Sequence, residues 1–182
     1  MGERRWTYVN KTGWAYGHDE PDKVQWRDVA TGLHCLARRV PDLGHWCGYV
    51  GVPKGHRFYG QPYGECRTPS HNDLNHRGGW GSCYDARCTP ESCLDVHGDI
   101  TYSKFCEGSE ERGVCHVPDG PDDTPYWFGF DCAHSGDVSP GMDKDMPFSP
   151  FEHRCYRTLA YVQAECAKLA QQLAAMGHPA AE

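Results

Sequence analysis

The chain has 182 residues, with 25 acidic against 18 basic side chains and a net charge of −7, which excludes a broad basic surface for duplex nucleic acid. Six Trp, ten Tyr and six Phe can anchor a core, so disorder throughout is excluded and a single domain over residues 1–182 is expected. No stretch approaches the roughly 18–20 apolar residues of a membrane-spanning helix, and residues 1–6 lead into no apolar leader, which predicts a cytoplasmic protein with no membrane partner.

In chain order, residues 6–9 read as a short strand. Residues 33–39 and 46–52 read as two strands joined through the turn-rich connector 40–44, most simply as a hairpin. Residues 61–95 lose periodicity and gain Gly, Pro and four cysteines, as an irregular Cys-rich loop insertion would. Residues 95–102 resume alternation, with Val96, Ile100 and Tyr102 on one face and His97, Asp99 and Thr101 on the other. Residues 107–125 are acidic and loop-like, and 126–130 form the next strand. At the C-terminus Cys155, Leu159, Val162, Cys166, Leu169, Leu173 and Met176 recur at spacings of four and three, the stripe of a core-facing amphipathic helix within residues 150–177. Ser149, Pro150 and Glu152 suit its first turn, although a start near Tyr156 is equally compatible with the stripe. The pattern predicts an α+β fold: a mainly antiparallel, twisted sheet packed by this helix.

Chemistry concentrates just past the 126–130 strand. Asp131, His134 and Asp137 follow one another at three-residue spacing, and His97 can join them if its strand is a neighbour. Imidazole and carboxylate together suit a zinc-type ion, which would activate water. Without metal, a His held by an Asp is a general base in one tautomer. Asp and Ser beside Gly136 also suit plain turn chemistry.

Eleven cysteines cannot all pair within one chain. Cys66, Cys83, Cys88 and Cys93 are candidate ligands of a structural zinc, with Cys106, Cys115 and His116 as further candidates. Disulfides or plain thiols remain open for the same residues. Cys35, Cys47, Cys155 and Cys166 read as small buried hydrophobes. The glycine-bracketed segment 48–60, with Tyr49, Lys54, His56, Arg57 and Tyr59, can bind a phosphate or stack on a base. Arg38, Arg39, Lys54 and Arg57 form a local basic patch suited to a small phosphate-bearing ligand.

The blocks at 46–53 (with His56 and Gly60), 96–102, 127–137 and 156–162 resemble an uncharacterised family of small phage and bacterial proteins. The family supplies no activity. The resemblance implies host cytoplasm, and a Gly where this chain has Asp99. It also implies a shorter segment where this chain carries 61–95, which makes the cysteine insertion a local elaboration. Two functions are expected. One is a metal-dependent hydrolase of a phosphodiester or nucleotide-type substrate, using His97, Asp131, His134 and Asp137. The other is a non-enzymatic module that binds a nucleotide-like ligand or a host protein, with any zinc structural.

Overall fold

The computed structural model describes residues 2–65, 89–144 and 153–177. Among these, six strands form one sheet: β1 (Arg4–Trp6), β2 (Lys23–Arg27), β3 (His34–Arg39), β4 (Trp46–Val52), β5 (Tyr102–Lys104) and β6 (Tyr126–Asp131). Their order is β1-β2-β3-β4-β6-β5, and every neighbouring pair is antiparallel. Two single-turn helices, α1 (Pro90–Cys93) and α2 (Pro140–Asp143), precede the long α3 (Leu159–Ala175). The expected α+β architecture is the one found.

The two faces of the sheet are covered differently. On one, α3 lies across β3 and β4 and buries Leu159, Val162, Cys166, Leu169, Ala170 and Leu173 against Cys35, Ala37, Val50, Phe128 and Phe130. Each large side chain buried there stabilises the fold by about 1.5–3 kcal/mol. Gly48 sets the close approach: a Cβ there would lie 2.4 Å from the Phe130 ring and 2.8 Å from Cys166 Sγ. On the other face Leu36, Cys47, Tyr49 and Trp127 pack beneath Val114, from the loop between β5 and β6. Loop rather than helix therefore covers the second face, and β4 is buried along its whole length. The loop is pinned by the Lys23 ammonium, which donates to the carbonyls of Glu110 (2.6 Å), Gly113 (2.8 Å) and Cys115 (2.6 Å).

Several expectations are corrected. Cys106 and Cys115 are joined in a disulfide and are not zinc ligands. Residues 95–102 are not one strand: Gly98 (φ 65°) and Asp99 (φ 67°) are both left-handed, which turns the chain at 97–98 and delays β5 to Tyr102. The first strand lies at Arg4–Trp6, because the amides of Tyr8 and Val9 turn to the Asp22 carboxylate instead of a ladder (2.6 and 2.8 Å). Helix α3 starts at Leu159, capped by Thr158 Oγ1 accepting from the Tyr161 amide. Before it, Cys155 pairs with the 136–138 segment in extended form and is exposed, so it is not a buried hydrophobe. Cys35, Cys47 and Cys166 are buried as expected. Arg39 is fully buried, with its guanidinium 4.2 Å from the centre of the Trp46 ring, and is no part of an open basic patch. Cys66, Cys83 and Cys88 lie outside the described residues, and Cys93 closes α1 half-buried. Among the described residues no helix is long and apolar enough to cross a membrane.

Candidate functional site

Asp131 ends β6, and the following turn returns the chain so that Asp137 meets the extended 153–157 segment. That segment places two arginines around Asp137. Arg157 Nε donates to Asp137 Oδ1 (2.7 Å), and Arg154 donates from Nε and Nη2 to the Asp137 carbonyl (3.0 and 2.7 Å). His97, on the turn before β5, brings Nε2 to 2.7 Å from Asp137 Oδ2 and Nδ1 to 3.0 Å from the Tyr161 hydroxyl on the first turn of α3. Glu165, one turn further along the helix, fixes the His97 backbone by accepting its amide (2.9 Å).

The protonation pattern follows from these contacts. Burial pushes the Asp137 carboxyl up, but hydrogen bonds from Arg157, His97 and the His134 amide outweigh it and hold the group below its ordinary value. Asp137 is therefore a carboxylate, His97 carries its proton on Nε2, and Nδ1 accepts from Tyr161. Burial, followed by the Glu165 charge, raises the Tyr161 phenol, so its proton stays in place. The result is a hydrogen-bonded carboxylate–imidazole–hydroxyl relay in which Asp137 holds His97 in the tautomer that accepts from Tyr161. Among the described residues the terminal nitrogens of Arg157 have no hydrogen-bond partner, which leaves a cation beside the relay for an anionic group.

His134 and Asp131 form a second pair. His134 Nε2 is buried without a hydrogen-bond partner, 3.6 Å from Asp131 Oδ1, a separation that two ligands of one zinc-type ion can span. Its ring lies edge-on to His97, with centroids 5.6 Å apart, directly over Gly98, where a Cβ would meet Nε2 at 1.8 Å. Asp131 is also held by Thr101 Oγ1 (3.0 Å) and the Ala133 amide (3.1 Å). The four residues marked in the sequence thus come together as two pairs, not as one converging ligand set. Asp137 is already saturated by His97, Arg157 and the His134 amide. Sequence reasoning missed Arg157 and Tyr161 as members of the site. Cys132, beside the site, is buried and its thiol is pushed up by burial, so it is no nucleophile.

Two of the expected contact residues of the 48–60 segment, Tyr49 and His56, are buried. Tyr49 is 5 % exposed within the second core cluster and offers no stacking face. His56 is buried, with Nε2 2.9 Å from the Leu173 carbonyl near the end of α3. Tyr59 donates its hydroxyl to the Thr124 carbonyl (2.9 Å). Arg57 lies over the Phe58 ring (4.8 Å), and Lys54 lines a cavity of about 300 Å³ with Arg27, His34 and Asp123.

That cavity borders a cluster at the other end of β6. His34 Nε2 lies 3.0 Å from both carboxylate oxygens of Asp123, and His116 Nε2 lies 2.8 Å from Asp123 Oδ2. Among the described residues this is the group whose three ligand atoms all fall within 4.8 Å of one another. His34 opens β3, and His116 follows the disulfide-bonded Cys115. Burial, then the neighbouring His116, lowers the His34 pKa. The Asp123 carboxyl is raised by burial, but hydrogen bonds from the Asp119 amide and His116 more than reverse this and bring it down to about 2. Neither His34 nor Asp123 stood out in the sequence; of the three only His116 did, and as a partner for cysteines.

Comparison with known proteins finds no matching family model, no similar curated protein and no similar solved structure.

Proposed function

We propose that this protein is a small hydrolase of phosphodiester or nucleotide-type substrates whose acid–base centre is the Asp137–His97–Tyr161 relay. The observation that carries the reading is His97 bridged at both ring nitrogens, to a carboxylate and to a helix-borne hydroxyl. One ring position fixes the tautomer and the other hands a proton to or from Tyr161. Arg157 supplies the charge complement for a phosphoryl oxygen. Asp131 and His134 stand beside the relay as a second acid–base pair, or as two ligands for a water-activating ion. His97, the 131–137 turn and Tyr161 all fall in the blocks that resemble the phage and bacterial family. We extend the proposal to a phage-type protein acting on host nucleotide chemistry. A structural zinc held by Cys66, Cys83, Cys88 and Cys93 is compatible with this proposal and with the non-enzymatic alternative.

The test is turnover of bis(p-nitrophenyl) phosphate and of a nucleotide panel by the purified chain. His97→Gln and Asp137→Asn are expected to lower the rate by about 10²–10⁴-fold, and Arg157→Lys chiefly to raise KM. Unchanged turnover in His97→Gln would remove the relay from the reaction. A nucleotide that raises the melting temperature yet is recovered intact would replace the hydrolase by a binding module.

A further inference from the structure

His34 Nε2 has contacts that no protonation state satisfies. The Arg27 guanidinium places Nη2 at 2.9 Å from it, which requires a lone pair on Nε2. Both Asp123 oxygens, at 3.0 Å, require a proton on the same atom. A neutral imidazole satisfies one demand and leaves donor facing donor or lone pair facing lone pair at the other. The other ring nitrogen, Nδ1, is buried without any partner, as is the indole N–H of Trp127, whose ring packs beside His34 and His116. A cation between Nε2 and the carboxylate resolves the contact with Asp123, because both atoms then donate lone pairs to it, and leaves Arg27 to its other partner, Asp119.

The geometry points to a divalent-metal site formed by Nε2 of His34, Nε2 of His116 and the Asp123 carboxylate, of the kind that holds zinc or a similar first-row ion. Two imidazoles and one carboxylate are an ordinary ligand set for such ions, with further positions left open. Ligand atoms bound at about 2.0–2.2 Å in a tetrahedron sit roughly 3.3–3.5 Å apart. The observed 2.8 and 3.0 Å therefore need only a few tenths of an ångström of expansion. His34 is held on a strand, and His116 by the disulfide and the Lys23 clamp next to it, so two of the three ligands are preplaced. Asp123 separates two cavities of about 300 and 290 Å³, one bordered by His34 and the other by His116, which give solvent access from both sides. Arg27 is already paired with Asp119 at 2.5 Å, and it can give up His34 without losing its counter-charge. Open positions on the ion would take water or a small anion, with Lys54 on the cavity wall. The site lies at the opposite end of β6 from the relay and is independent of it.

The experiment is zinc titration calorimetry on the chelator-stripped full chain, with Co2+ absorption to report ligand type. A site with nitrogen and oxygen ligands is expected, resolved from the thiolate charge transfer that a cysteine-bound ion would add. It should weaken roughly 100-fold or more in His34→Gln and in Asp123→Asn, since even outer-shell losses cost 10–100-fold, and remain unchanged in His97→Gln. Arg27→Gln removes the competing donor from an exposed side chain and should tighten zinc several-fold, a readout that survives if the ligand variants fold poorly. Zinc affinity unaltered by both His34→Gln and Arg27→Gln, a Co2+ spectrum of thiolate type alone, or no zinc binding would overturn the site.

Discussion

Gly98 shows what single residues control here. Its φ of 65° lies in the left-handed region, and the His134 ring occupies the space where a side chain would begin. Gly98→Ala therefore combines about 1–2 kcal/mol of backbone strain with displacement of His134. Thermal melting should show a loss of several degrees, and hydrolytic turnover should fall with it. A variant of wild-type stability and rate would contradict the packing of His134 on Gly98. At this scale the sequence was readable where chemistry sits close along the chain. Asp131, His134 and Asp137 stood out because they share one turn, and His97 because it alternates with apolar neighbours. Arg157 and Tyr161 were legible only as helix and pre-helix residues. Nothing local says that a segment up to 20 residues away will lie against Asp137. His34 and Asp123 were silent for the same reason: they meet only when the loop folds over the sheet.

Among the elements, the apolar, aromatic-bearing strands were placed almost residue by residue, as β4 and β6 illustrate. Two failures share a cause, which is backbone geometry that composition does not display. Two consecutive left-handed residues turn the 95–102 segment, and the pre-helix segment gives up its helical stripe to pair with 136–138. The late start of α3 leaves the preceding segment extended, and this brings Arg154 and Arg157 to Asp137. β2 went unread because Lys23 and Gln25 do not look like buried strand residues. Both are buried through hydrogen bonds to the covering loop. That loop depends on its staple. Replacing Cys106 and Cys115 by Ser should cost roughly 2–3 kcal/mol for a loop of this size, measurable by urea unfolding. Equal stability of the oxidised chain and the double variant would show that Lys23 and Val114 hold the loop unaided.

In the whole molecule, three imidazoles at separate places give stability a common dependence on acidity. Burial depresses His34, His45 and His56 below their ordinary value. The unfolded chain takes up protons near pH 6.5, whereas the fold resists until lower pH. Their contribution is complete above about pH 6.5 and is lost as pH falls through the depressed folded values. Calorimetry should find the melting temperature dropping between about pH 7 and pH 5. His56→Gln should flatten part of that slope, and a constant melting temperature over the range would contradict the assignment. The sheet order has a separate consequence. β6 pairs with β4 across the whole of residues 53–125, so these two neighbouring strands are joined by a long excursion and not by a tight turn. The entropy of closing such a loop grows only logarithmically, at about 0.6 kcal/mol for each doubling of its length. β5, the His97 turn and the loop clamped by Lys23 lie within that excursion and are fixed by their own contacts, so a change of length is cheap only where it leaves these in place. The Asp131 end of β6 is thus set by its ladder with β4 and owes nothing to a tight connection between the two strands.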